Sequence, residues 1–385
     1  MTNLYDACNE WLTQRKIGFI DTMAPFYISA ICCHILNLEN KRREFYFEHG
    51  QPADLRLHVF IAAPPGYMKS FTLKRFLDRR NSLFGQTAVK TSFIGQLTEA
   101  GFVGTINMID GDPVQQPGAA YDFMDHVLGV EEFSALTNTM QAEHSKNLDN
   151  ALLTALDSGY LIKRLAAGEL RYETHLTLMA GSQPARFNLT SGLGRRFIFI
   201  YFVPNRSQQL LMRQFRRRGK GIMGDPASTK VVYNLTEEIV EKAKYIQEIT
   251  FEDEIYDALD EIDIPHYEEP LFEKIALGYN LATQPIGDIL TVKFLPELKK
   301  IWRQEKEWRY KIKSGAQEAQ VMQFIEEEPG IEENTLKERL LDFGMSFADT
   351  SISIDTLIRQ RRIGVIFDKR DKKIARRYLW PYDRN

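Results

Sequence analysis

The chain has 385 residues, 44% of them apolar and 26% charged, with a formal net charge of -3. That length holds two or three domains with a proper core, and the composition is that of an ordinary soluble protein rather than a disordered or disulfide-stapled one. Near-neutral charge leaves nucleic-acid binding to local clusters, and Cys8, Cys32 and Cys33 have neither metal-ligand nor disulfide spacing, which suits a reducing interior.

Residues 1–50 read as helical. Leu4, Ala7, Cys8, Trp11 and Leu12 fall on one face, and Met23 to Leu38 is a second apolar helix followed by Lys41-Arg42-Arg43, read as a solvated turn. No apolar run reads as long enough to span a bilayer, and the N-terminus does not read as a signal peptide. The expectation is a cytoplasmic protein with no membrane partner.

Leu55, Leu57, Val59, Phe60 and Ile61 predict a buried strand, followed by a Pro/Gly-rich loop and a helix from near Ser70 to Arg80. This is the layout of a phosphate-binding loop, in which backbone N–H groups and a helix N-terminus face phosphate, a Lys adds a point charge and a hydroxyl reaches Mg2+. The consensus G-x-x-x-x-G-K-[ST] maps onto Ala63, Pro64, Pro65, Gly66, Tyr67, Met68, Lys69 and Ser70, so Ala63 and Met68 replace both consensus glycines. Gly66 alone keeps the freedom for positive φ within the loop.

Asp110–Tyr121 is rich in Gly and Pro and is expected to be a loop. His126 to Val130 then forms a buried strand ending in Glu131 and Glu132, about sixty residues beyond the phosphate loop. This is the shape of a Walker B segment: the first acid holds Mg2+ through water and the second polarises the attacking water. Glu131 stands where an Asp is usual.

Leu148 to Leu156 predicts a helix, and Tyr160 to Thr174 a hairpin turning at residues 166–169, with Lys163, Arg164 and Arg171 on its arms. Leu176 to Gly181 is another buried strand, ending in Ser182. Arg195 and Arg196 lead into a further strand, Phe197–Val203. In this order the motifs resemble those of AAA+ ATPases, and more narrowly the MCM-like helicases, over about Leu55 to Val203. That resemblance implies that Lys69 and Ser70 hold phosphate and Mg2+, that Glu131 and Glu132 act as the acids, and that Ser182 is the sensor residue in place of the usual Asn. It also implies that the hairpin projects into a ring channel and that Arg196, or else Arg195, completes the neighbouring subunit's site as an arginine finger.

Asn205 to Lys313 reads as a helical lid, with the cluster Arg216-Arg217-Arg218-Gly219-Lys220 either a DNA surface or a solvated turn. Lys274 sits where related proteins place a second sensor base. From Gly315, three helices (around Val321–Ile325, Ile331–Phe343 and Ser346–Gln360) and a charged hairpin read as a winged helix-turn-helix. Its basic wing, Lys369, Arg370, Lys372 and Lys373, with Arg376 and Arg377, suits phosphate contacts; a protein-docking or autoinhibitory role is the alternative.

The expected fold is α/β: a helical segment (1–50), an AAA+ core with a parallel sheet between helices (51–204), a helical lid (205–313) and a winged helix (314–385). The expected function is an ATP- and Mg2+-dependent DNA helicase or translocase on single-stranded or forked DNA, working as a homo-oligomeric, hexameric ring alongside replication or initiator proteins. It would be a reduced form without the N-terminal OB/zinc collar. The competing expectation is a nucleotide-controlled DNA-binding initiator or remodelling ATPase without processive unwinding, and a third is a nucleotide binder that has lost turnover.

Overall fold

Four segments between Leu55 and Val203 are apolar on both faces, and such strands persist only where helices cover both sides of a sheet. The computed structural model describes residues 2–39, 54–64, 66–78, 82–110, 112–133, 146–157, 159–165, 168–183, 192–218, 226–313, 316–343, 345–368 and 376–382. Among these the strands are β1 (His58–Ala62), β2 (Thr91–Gln96), β3 (Gly104–Ile109), β4 (Asp112–Pro117), β5 (Val127–Glu132), β6 (Tyr160–Leu165), β7 (Gly168–Glu173), β8 (Thr177–Ser182), β9 (Phe197–Tyr201), β10 (Glu248–Phe251), β11 (Ile289–Val292), β12 (Ile331–Glu332), β13 (Ile363–Asp368) and β14 (Arg376–Pro381).

The fold is α/β, built on a five-stranded sheet in the order β2-β5-β8-β1-β9. Every pairing in it is parallel. Each residue of β1, β8 and β9 is buried. Because the strands are parallel, the C-terminal ends of β5, β8 and β1 fall side by side on one edge, while the residues leading into β9 lie on the other.

The helix Leu4–Gln14 is opened by Asn3, whose Oδ1 accepts from the Asp6 N–H at 2.8 Å, and it buries Leu4, Ala7, Cys8, Trp11 and Leu12. Contrary to the sequence expectation, Gly18–Glu39 is long and apolar enough to cross a bilayer, with 89% of its most apolar window buried inside the fold. Its helix Ala24–Glu39 packs against the helix Glu269–Thr283. A Cβ on Gly278 would lie 2.3 Å from the Ser29 carbonyl oxygen, so only glycine lets the two backbones come this close. The segment therefore reads as the core helix of a globular body.

Three further expectations need correction. Asp110–Tyr121 is not a loop: β3 and β4 form an antiparallel hairpin, with Pro113 and Pro117 on a fully exposed strand that pairs on one side only. Proline is tolerated on such an edge, so Gly/Pro content misleads there. The lid is not purely helical, because β10 and β11 form a short parallel pair within it. Ile331–Glu332 does not open a helix; it pairs antiparallel with β14, and the helix begins at Glu333.

The C-terminal region comprises the helices Ala316–Glu327, Glu333–Asp342 and Phe347–Arg359 with a three-stranded sheet, β12-β14-β13. Lys369, Arg370, Lys372 and Lys373 lie outside the described residues, as does Pro65 of the loop.

Candidate functional site

β1 is buried between β8 and β9, so its last residue delivers the chain to the sheet edge at a fixed point. There the Ala63 N–H donates to the Ser182 carbonyl at 3.2 Å, and the Tyr67 N–H returns to the Pro64 carbonyl at 3.3 Å. Gly66 has φ +79° and Met68 φ +60°. Gly66 takes its conformation without penalty, whereas the side chain of Met68 makes the left-handed region about 1–2 kcal/mol unfavourable. The helix Lys69–Leu77 begins at once, with no side-chain cap on its first N–H groups. Uncapped N–H groups at the positive end of a helix dipole favour an anion.

The acids arrive from β5. Lys69 Nζ donates to Glu132 Oε2 at 2.8 Å, and the Ser70 hydroxyl donates to Glu131 Oε1. Lys74 Nζ stands 3.6 Å from the other Glu131 oxygen. Lys69, Ser70, Glu131 and Glu132 line a cleft of about 780 Å3 together with Gly66, Met68, Gln96 and Gln183. β8 contributes Gly181 as open space: a Cβ there would lie 2.8 and 2.9 Å from the Lys69 Cδ and Cγ. The lysine stem thus crosses the sheet edge where one strand has no side chain.

No protein-family model matches the chain, and no curated protein matches it.

The structure brings together Ala63, Pro64, Gly66, Met68, Lys69, Ser70, Glu131 and Glu132. Ser182 supports the cleft without lining it: it is fully buried, its hydroxyl donates to the Gln183 carbonyl at 3.3 Å, and its carbonyl anchors Ala63. Gln183, one residue further, presents the polar side chain. Reading β8 as uniformly buried hid this, because alternation could not tell which residue turned outward. Tyr67 points away from the cleft towards the C-terminal region, where its ring stacks on Phe343 at 4.4 Å and 15°.

Lys274 is not in the cleft. Its Nζ donates to the Arg56 carbonyl at 3.2 Å, two residues before β1 begins and so at the opposite end of that strand. Arg195 and Arg196 are also at that opposite end, just ahead of β9, whose Phe197 is in register with His58 of β1. Arg196 Nη2 pairs with Asp157 Oδ2 at 2.7 Å, and the Arg195 guanidinium lies 4.9 Å from the Tyr267 ring centroid. Neither arginine serves the cleft of its own chain in this arrangement.

An oxygen-donor set suits Mg2+, which binds through one or two protein oxygens and keeps phosphate oxygens and water for the rest. The Ser70 hydroxyl and the Glu131 carboxylate, already in contact, fit that requirement. When bound, the cation would neutralise phosphate charge between them.

β6 and β7 pair throughout, Lys163 opposite Leu170 and Arg164 opposite Glu169. The Arg164 side chain is 86% exposed and ion-paired to Glu169 at 2.9 Å, and Arg171 lies against the ring of Tyr160. The β3–β4 hairpin lies alongside: Gln115 Nε2 donates to the Glu169 carbonyl at 3.1 Å, and Tyr172 Oη to the Val103 carbonyl at 2.7 Å. The pair forms one tongue that exposes Met108, Ile109, Val114, Tyr160 and Ile162.

Proposed function

We propose that the protein is an AAA+ ATPase of the MCM-like kind, a ring-forming DNA helicase or translocase driven by ATP and Mg2+. The observation that carries this reading is the meeting of Lys69 and Ser70 with Glu131 and Glu132 in one cleft at the C-terminal ends of β1 and β5. Ligand sites of open parallel sheets lie outside those strand ends. The parallel sheet β2-β5-β8-β1-β9 supports this reading, as does the hairpin β6–β7 between the second and third of its strands that follow the loop.

In this mechanism the loop N–H groups and Lys69 hold the terminal phosphates. Lys69 exchanges its Glu132 partner for phosphate, which leaves the Glu132 carboxylate to orient and deprotonate the attacking water. Gln183 stands on the same cleft wall, placed to hydrogen-bond the phosphate or that water. Arg196, at the far end of the sheet, completes a neighbour's site in trans, so turnover depends on assembly. Lys163 and Arg164 on the exposed tongue meet the DNA backbone.

Lys69→Ala tests the site: ATP hydrolysis should be abolished and nucleotide binding weakened. Unchanged turnover would sink the assignment. Unwinding of a forked duplex by the wild-type ring tests the helicase part separately.

The stacking of Tyr67 on Phe343 favours a second reading. A loop that binds phosphate and also touches the C-terminal winged helix suits a nucleotide-controlled DNA-binding or remodelling ATPase. ATPase activity without fork unwinding would select it.

A further inference from the structure

The loop carrying Arg195 and Arg196 is held by a buried ionic cluster from the lid. Arg309, on the helix Pro296–Lys313, is 2% exposed, Glu305 is fully buried and Glu268 is 3% exposed. Arg309 Nη1 donates to the Gly194 carbonyl at 2.5 Å and Nη2 to the Phe197 carbonyl at 2.8 Å, the residues on either side of the two arginines. Glu305 Oε1 accepts from Arg309 Nη2 at 2.6 Å and from the Phe199 N–H at 3.1 Å, and Glu268 lies 3.6 Å from Arg309 Nε. Beside the cluster, Tyr267 faces the Arg195 guanidinium. One lid helix therefore fixes two carbonyls and an N–H within a six-residue stretch.

Stability alone does not call for such a cluster. Buried ion pairs bring little net stabilisation, and apolar side chains of similar volume commonly do as well or better. Apolar packing cannot hold named backbone atoms at fixed positions, whereas a planar guanidinium donating to two carbonyls can. Arg196 is also tied on its other side, to Asp157 at the end of the helix Lys146–Asp157 that leads into β6.

We infer that Arg309, braced by Glu305 and Glu268, is a positioning residue that sets how Arg196 is presented to the neighbouring subunit, so that the lid of one subunit governs hydrolysis in the next. This rests on the proposed reading of Arg196 as a finger acting in trans. Any shift of the helix Pro296–Lys313 would reach the finger through the Arg309 contacts, giving a route of communication around a ring.

The test uses the full-length chain. Arg309→Lys keeps the buried charge but cannot span both carbonyls, and it should lower kcat on the order of 10- to 100-fold, the scale of a misplaced catalytic group. Nucleotide affinity should stay within about twofold, because the variant's own cleft is untouched. Mixing Arg309→Lys with Lys69→Ala, which has a dead cleft but a sound finger loop, should restore hydrolysis. Tyr267→Ala, at a site 45% exposed and therefore safe for folding, should show the same pattern more weakly. Arg196→Ala mixed with Lys69→Ala is the reference pair. If that pair fails to recover activity although it co-assembles, the finger reading itself is wrong and the inference falls with it. If the reference pair recovers but Arg309→Lys keeps full turnover, or loses turnover that mixing does not restore, Arg309 is a stability element only and the inference is overturned.

Discussion

Gly181→Ala should weaken nucleotide binding without unfolding the protein. The added Cβ would sit 2.8 Å from Lys69 Cδ, 2.9 Å from Cγ and 3.1 Å from the Glu131 carbonyl oxygen. Contacts that short force a shift, and the Lys69 stem yields more readily than the buried strands either side. Overpacking of this kind costs about 1–3 kcal/mol if the fold absorbs it. If the lysine moves instead, its charged hydrogen bond to phosphate, worth about 1.5–3 kcal/mol, is lost or bent. That corresponds to about 10- to 100-fold in Kd. Titration of a fluorescent ATP analogue, beside a thermal melt, separates the outcomes: the expected result is weakened affinity with a melting temperature within a few degrees of wild type. Unchanged affinity in a protein of unchanged stability would refute the reasoning, since Lys69 would then not be the phosphate cation or would not depend on Gly181 for its path.

Glu132→Gln should bind ATP with near wild-type affinity while hydrolysing it at least 100-fold more slowly, because it keeps shape and loses the base; a wild-type rate in a phosphate-release assay would hand the role to Glu131. Lys163→Ala/Arg164→Ala should reduce DNA-stimulated turnover and flatten the salt dependence of DNA binding by about one per lost contact, equally on all sequences; wild-type stimulation and fork unwinding would remove the tongue from the motor. His34 and His58 are buried, and burial pushes both down to about 3 from 6.5. The unfolded chain therefore binds protons below pH 6.5 that the native one refuses, so stability is full above 6.5 and falls as pH drops towards 3, by on the order of 4 kcal/mol for the pair at pH 5. Urea unfolding at pH 7 and pH 5 measures this, and a pH-independent midpoint would contradict it.

The strand–loop–helix from His58 to Leu77, the position of the paired acids at the end of β5 and the β6–β7 hairpin were legible because each is a local signal, in which alternation, an Ala-Ala-Gly turn or paired carboxylates sit within a dozen residues. The β3–β4 hairpin was not, since two prolines on an exposed edge look like a loop. Gln183 was passed over for Ser182 because β8 is buried along its whole length. Lys274 illustrates the opposite failure: an amphipathic helix tells which face is buried but not which end of the sheet it meets. The Arg309 cluster joins residues more than a hundred positions apart; the apolar repeat Leu298, Ile301, Trp302, Trp308 and Ile312 puts positions 305 and 309 on the buried face of the helix Pro296–Lys313, but it does not tell which backbone atoms a charged side chain there would meet.

Arg56, two residues before β1 and 3% exposed, spends its guanidinium on the root of the tongue. It donates to the carbonyls of Ala155, Asp157, Thr174 and Leu176 at 3.0–3.2 Å and to the Asp54 carboxylate at 2.8 and 3.0 Å. All its donors are used, and the four carbonyls flank the start of β6 and the end of β7. The tongue consequently has a clamped root where a swivel would need loose backbone. Any displacement of its tip is therefore made by the sheet and tongue travelling together as one rigid lever.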